Sequence, residues 1–162
     1  MPREKQIAVT GAVGTGPTVL SAFDHALFLC GIGNYNLLHL SSVVPLGHRP
    51  IVKDVNHNDI EQGDRLYVVY ATQSTQTLGE TAAAGLGWCM TKCNPAWGLF
   101  VEHTGDSKES VRLQIEASLA HMTSYRDNEE WGDIETHIVE AHCVDRPVCA
   151  IATALYQSER WQ

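Results

Sequence analysis

A polar Asn-x-Asn pair enters an apolar, strand-like run in Gly31-Ile32-Gly33-Asn34-Tyr35-Asn36-Leu37-Leu38-His39-Leu40-Ser41-Ser42-Val43-Val44-Pro45. No other segment limits the fold so tightly. Gly31 and Gly33 end the helix that precedes them. Residues 35–44 read as one strand with both faces largely covered, stopped by Pro45. Two adjacent serines inside such a run are costly unless both hydroxyls find partners. Two explanations stand open. The serines bond ordinary neighbouring backbone, or the Ser41–Ser42 peptide bond is itself the site of chemistry.

The flanks supply strands and two helices. Residues 6–13 alternate Ile7 and Val9 with polar neighbours, as a strand does. Gly11, Gly14, Gly16 and Pro17 then read as a flexible loop. Thr18 can cap a helix to about Cys30, with Leu20, Phe23, Leu27 and Cys30 as its apolar face and Asp24 on the border of that face. Residues 46–64 are polar and read as loops with one short strand, and residues 66–72 as a strong strand. Residues 81–92 are ambiguous: the alanines favour helix, while Gly85, Gly87 and Trp88 oppose it. Residues 97–103 are a further strand. Glu109 follows Asp106 by three residues, a helix-start signature, and Val111, Ile115, Leu119 and Met122 stripe that helix to about Tyr125. Residues 134–144 and 148–156 close the chain as strands, with Asp145-Arg146-Pro147 as a hairpin turn. The order β-α-β-β-β-β-α-β-β predicts an α/β fold of facing sheets with helices outside.

At 162 residues, 44% hydrophobic and 19% charged, the chain reads as one domain, 1–162, with its own core. A net charge of −8 without a basic cluster argues against nucleic acid as a partner. No apolar run reaches membrane-spanning length, and Met1-Pro2-Arg3-Glu4-Lys5-Gln6 lacks the apolar stretch of a secretory signal. Cys30, Cys89, Cys93, Cys143 and Cys149 are an odd, scattered set that reads as reduced thiols. The expected location is therefore cytoplasmic. The Cys89-x-x-x-Cys93 spacing is not a standard zinc pair, so no metal site is expected. Ser42 lacks the G-x-S-x-G elbow of a hydrolase.

Read from the residues alone, the candidate groups keep ordinary alternatives. Glu102 follows Gly98-Leu99-Phe100-Val101, an apolar strand whose burial would raise a carboxyl pKa; it also reads as a strand-end carboxylate paired with a cation. Asp24 is a helix carboxylate that can face solvent, Leu20 and Leu27 can be core leucines, and Asn36 can belong to a turn.

Residues 31–45 resemble the pyruvoyl-dependent arginine decarboxylases, whose pattern is close to G-I-G-N-x-N-L-[IL]-x-[IL]-S-S-[IV]-x-P. Every fixed position is met. The likeness continues in register through Ala22-Phe23-Asp24, Gly79-Glu80-Thr81 and Gly98-Leu99 to Glu102. It implies a four-layer α/β/β/α sandwich and a proenzyme that cuts itself between Ser41 and Ser42. The Ser42 hydroxyl would attack the Ser41 carbonyl to give an ester. Elimination and hydrolysis would then leave a pyruvoyl group at position 42. The products would be a β chain, 1–41, and an α chain, 42–162. The resemblance further implies that this covalent cofactor condenses with the substrate amine and acts as an electron sink.

The same resemblance implies roles residue by residue. Glu102 would protonate the substrate carbon after CO2 leaves, and Asn36 would hold the reacting group. Asp24 would bind the distal cation of the substrate, with Leu20 and Leu27 as pocket walls. The implied activity is conversion of arginine to agmatine and CO2, serving polyamine supply or acid resistance, in cleaved protomers assembled as a homotrimer or hexamer. The chain carries His39 where arginine is frequent in the pattern, Tyr35 where a small residue is frequent, and Leu46 where a second proline is frequent. Decarboxylation of another amino acid, histidine first, is the alternative within the class, and a silent trimeric binding homologue is the alternative outside it.

Overall fold

The computed structural model describes residues 3–57 and 59–162. Met1 and Pro2, which open the N-terminal segment read above, and Asn58 of the 46–64 stretch lie outside the described residues. In chain order the elements are β1 (Lys5–Thr15), α1 (Val19–Leu29), β2 (Asn36–His39), β3 (Val43–Val44), β4 (His48–Val52), β5 (Arg65–Thr75), β6 (Thr81–Met90), β7 (Gly98–Gly105), α2 (Lys108–Ser124), β8 (Glu135–His142) and β9 (Val148–Glu159).

These elements form an α/β fold with two sheets. The order β2-β5-β9-β1-β4 makes a mixed sheet, parallel between β1 and β4 and between β2 and β5. Its middle strand β9 runs antiparallel to both neighbours. The order β3-β7-β6-β8 makes an antiparallel sheet. Ile7, Val9, Val69, Leu86, Trp88 and Phe100 share one apolar core between them. Ala22, Ala26, Leu27 and Cys30 bury α1 against the mixed sheet, while Val111, Ile115 and Leu119 bury α2 against the antiparallel one.

Thr18 caps α1 as expected. Its hydroxyl accepts the Ser21 N–H at 3.1 Å, and Ser21 Oγ accepts the Thr18 N–H at 3.1 Å. At the other end Gly31 N–H reaches Phe28 O and Ile32 N–H reaches Leu27 O, both at 3.0 Å, with Gly31 at φ +79°. This left-handed glycine closes the last turn and seats Ile32 beside Leu27 in the core. The buried face differs from the expected one: Leu20 is 76% exposed, and the small residues Ala22 and Ala26 face the sheet instead. The reason is close approach. β1 is not interrupted at Gly11 but runs through Gly14, which lies directly against the backbone of Ala22 and Ala26.

The ambiguous 81–92 stretch is strand β6, covered on both faces. Ala84, Leu86 and Trp88 point to the inter-sheet core, while Ala83 and Cys89 point to α2. A side chain at Gly87 would meet Ile115, so a glycine lets α2 sit low on the sheet. Val111, Ile115 and Leu119 are fully buried, each contributing roughly 1.5–3 kcal/mol by leaving water. The α2 cap is Ser107, whose hydroxyl accepts the Ser110 N–H at 3.1 Å, not Asp106. Asp145-Arg146-Pro147 joins no hairpin: β8 pairs with β6 and β9 with β1 and β5, so the chain crosses between sheets there. All five cysteines are unpaired, and burial pushes the Cys30 thiol up to about 12 and Cys89 to about 11. No helix among the described residues is long and apolar enough to cross a membrane.

Candidate active site

Residues 35–44 do not form one covered strand. β2 is an edge strand with Asn36, Leu38 and His39 exposed. It ends where the chain crosses from one sheet to the other. Leu40 N–H makes the last bond to β5, to Val68 O at 2.8 Å. Phe100 N–H donates to Ser42 O at 2.9 Å and so extends the ladder that pairs Val43 with Leu99 and Val44 with Gly98. Between these anchors Ser41 O accepts the Val43 N–H at 3.2 Å, a three-residue turn centred on Ser42. The Ser41–Ser42 peptide thus lies between the sheets and in neither ladder. Ser41 is exposed and Ser42 half-buried.

Alternation along β7 brings the carboxylate to this crossing. Phe100 and Glu102 share a face, and Phe100 is fully buried in the inter-sheet core. Glu102 therefore sits two residues on, at the rim of that core, with its side chain 27% exposed. Burial is partial where the sequence predicts a buried carboxyl. Ser42 Oγ donates to Glu102 Oε1 at 3.2 Å. His39 Nε2 lies 3.4 Å from the same oxygen. The imidazole is stacked on Tyr70 of β5, with centroids 4.6 Å apart and planes at 19°.

Tyr156 completes the surroundings. The pairing of β5 with β9 shifts between Tyr67–Gln157 and Val68–Leu155, leaving Tyr156 as an extra residue in β9. Such a bulge re-aims a side chain. Here the ring packs against Phe100 at 6.0 Å and the hydroxyl donates to Val43 O at 3.0 Å. Burial, reinforced by the negative charge of Glu102, pushes this phenol well above its usual range, so it stays a donor. Leu40, Pro45, His48 and Tyr67 line a cavity of about 370 Å³ beside it.

A model of the family described as pyruvoyl-dependent arginine decarboxylase matches residues 6–160. The chain belongs to that family. A pyruvoyl-dependent arginine decarboxylase from Thermococcus kodakarensis is 33% identical over 156 residues, covering 93% of this chain and 94% of the relative. One from Pyrococcus abyssi is 32% identical over 158 residues, with 93% and 94% covered. One from Methanothermobacter thermautotrophicus is 28% identical over 155 residues, with 93% and 95% covered.

Within this pyruvoyl-dependent decarboxylase fold, the structure brings together Ser41, Ser42 and Glu102 from the expected set. It does not bring Asn36, Asp24, Leu20 or Leu27 to them in the same chain. Asn36 stands at the start of β2, roughly 13 Å of extended chain before Leu40. Its amide donates to Gly63 O at 2.6 Å. Asp24 and Leu20 are exposed on α1, whereas Leu27 is only 8% exposed in the core beneath it. Sequence reasoning missed Tyr156 and Tyr70. A signal for Tyr156 exists: Ala150, Ala152, Ala154 and Tyr156 alternate toward one core, and only the last carries a polar tip. Nothing in the sequence announces the bulge.

Proposed function

We propose that this chain cleaves itself between Ser41 and Ser42, carries a pyruvoyl group at position 42, and decarboxylates L-arginine to agmatine and CO2. The observation that carries this reading is the Ser42 hydroxyl placed on the Glu102 carboxylate at 3.2 Å, in a chain that matches the family over residues 6–160. The fold is read in full as a four-layer α/β/β/α sandwich; three separate cores, under α1, between the sheets and under α2, support it.

The residues around Ser42 suit formation of the group. Glu102 Oε1 is positioned to take the hydroxyl proton as Ser42 Oγ attacks the Ser41 carbonyl carbon. The Val43 N–H already donates to Ser41 O, the atom on which negative charge develops. The proton returns from Glu102 to the Ser42 nitrogen as the C–N bond opens, so the ester forms without net proton change. Phe100 N–H and Tyr156 Oη–H hold the two following carbonyls and keep the attacking residue on β7.

Once formed, a pyruvoyl group supplies an electrophilic carbonyl that captures an amine and accepts the electrons released with CO2. Glu102, whose side chain is 27% exposed, would take a proton from water at Oε1 and deliver it to the substrate carbon beside position 42. Asp24, exposed on α1, suits a guanidinium, which a carboxylate can grip at two points. Because Asp24, Leu20 and Asn36 lie away from Ser42 in their own chain, we assign them to the site of a neighbouring protomer, in a trimer or pair of trimers. Leu27 supports them from the core. The chain is assigned to the cytoplasm, where arginine is its substrate.

Intact mass spectrometry tests the reading. The expected result is two fragments split at Ser41–Ser42, the larger bearing a keto terminus that borohydride traps with an amine, and CO2 release from arginine. A purified chain that stays whole and carbonyl-free overturns it, and faster CO2 release from histidine than from arginine overturns the substrate assignment.

A further inference from the structure

His39 shares a single carboxylate oxygen with Ser42. Its Nε2 lies 3.4 Å from Glu102 Oε1, and Ser42 Oγ lies 3.2 Å from the same atom. Among the described residues His39 is the one basic side chain within ion-pair distance of Glu102. The ring is stacked on Tyr70, which holds it beside Glu102. Its side chain is 47% exposed, so its proton exchanges freely with water. Among the described residues, the titratable groups in contact with it are Glu102 from β7 and Tyr70 from β5. Tyr156 of β9 stands behind Glu102 and stays protonated.

We infer that His39 is a positioning residue that competes with Ser42 for Glu102 Oε1 and thereby makes the release of Ser42 from its precursor bond depend on pH. The inference rests on the proposed role of Ser42 and Glu102 in self-cleavage. An imidazole changes charge between about pH 5 and 8. As an imidazolium, Nε2–H donates a charge-assisted bond to Oε1. That oxygen then takes the Ser42 proton less readily, and attack on the Ser41 carbonyl slows. As a neutral ring, His39 withdraws the charge, and Oε1 is free to accept from Ser42. A guanidinium at this position would hold the carboxylate in the first condition at every working pH, because arginine does not lose its proton. A histidine converts a fixed setting into a variable one.

The two charge states of His39 can each be frozen by substitution, His39→Arg for the cation and His39→Gln for the neutral donor. The full chain is translated in vitro, trapped in urea before cleavage, and refolded by dilution into buffers from pH 5.5 to 8. Conversion to fragments is then followed on denaturing gels. The wild-type rate is expected to rise about two- to fivefold across this range, the span expected of a partly exposed ion pair. His39→Gln should be flat near the upper wild-type value, and His39→Arg flat near the lower one. A loss of packing alone would slow cleavage at every pH without removing the wild-type slope. If wild type and His39→Gln share one pH profile, or His39→Arg cleaves as fast as His39→Gln, the assignment of His39 is wrong. A wild-type chain that never cleaves overturns the parent reading of Ser42, and this inference with it.

Discussion

Replacing Glu102 by glutamine separates the two things the carboxylate offers Ser42. The amide keeps an oxygen where Oε1 stands, so the hydroxyl still finds an acceptor near 3.2 Å. The bond loses its charge, a difference of about 1 kcal/mol between charged and neutral hydrogen bonds, or about fivefold in aligned hydroxyl. The larger loss is the proton acceptor, since a positioned general base contributes about 10²- to 10⁴-fold. The Val43 N–H on Ser41 O is untouched, so some polarisation of the carbonyl survives. The expected outcome for Glu102→Gln is self-cleavage slowed by about 10²- to 10⁴-fold, not abolished. Ser42→Ala, which removes the nucleophile, should give no fragments at all. The assay is urea-trapped precursor, refolded and sampled on denaturing gels over minutes to days. Cleavage of Glu102→Gln within about threefold of wild type, no more than the worth of a surface ion pair, would reduce the carboxylate to a bystander and refute the assignment.

Three shorter expectations bear on the surroundings. Tyr156→Phe leaves Val43 O without its donor; in a Ser42→Ala background, where the chain stays whole, urea unfolding should show a loss of about 1–2 kcal/mol, and an unchanged midpoint would show the clamp to be idle. Asp24→Asn should cleave normally, because Asp24 does not contact the crossing in its own chain, yet lose about 10- to 100-fold in kcat/KM for arginine; slowed cleavage would place Asp24 elsewhere in the mechanism. Burial, with a smaller contribution from Lys108, holds the His137 imidazole below its usual value. The folded chain thus resists a proton that the unfolded chain accepts as pH falls below about 6.5, and stability declines toward acid. His137→Gln should flatten that decline between pH 7.5 and 5 in urea titrations of the uncleaved chain.

Much of this was legible from local rules. The Thr18 cap, the glycine that ends α1 and the Val111, Ile115, Leu119 stripe are written in neighbouring residues, and each formed as expected. The misreadings share another cause. Residues 35–44 look like one strand because Leu37, Leu38, Leu40, Val43 and Val44 are all strand formers, but register with two different partners divides them. The 81–92 stretch is indecisive in sequence because its alanines and glycines are shaped by α2 and the facing sheet, not by their own propensity. Leu20 fits the helical period of the inward face, while the close contact of α1 with β1 at Gly14 brings Ala22 and Ala26 inward instead. At the site, Ser42 and Glu102 stood out through family pattern, whereas Tyr156 depends on a bulge set by the pairing of β5 with β9.

On the proposed reading, the position of the crossing would let the chain be cut there and stay folded. Residues before the cut contribute β1, α1 and β2. β1 pairs with β9 over Ala8–Thr15 and with β4 over Lys5–Val9, so it is an interior strand of the mixed sheet. α1 is sealed onto that sheet by Ala22, Ala26, Leu27 and Cys30. After such a cut, Ser42 to Val44 would remain bonded to β7 and to Tyr156. The backbone hydrogen bond that spans the Ser41–Ser42 peptide is the turn bond from Val43 N–H to Ser41 O at 3.2 Å, outside either ladder, so breaking the peptide would leave both ladders intact. The two fragments should therefore co-elute as one particle on a sizing column in native buffer and separate only in denaturant. They should also resist exchange with added labelled fragment 1–41, because release requires extracting β1 from between two partners. Rapid exchange would mean that the covalent link, not the sheet, had been holding β1 in place, and that cleavage in this fold is followed by loosening.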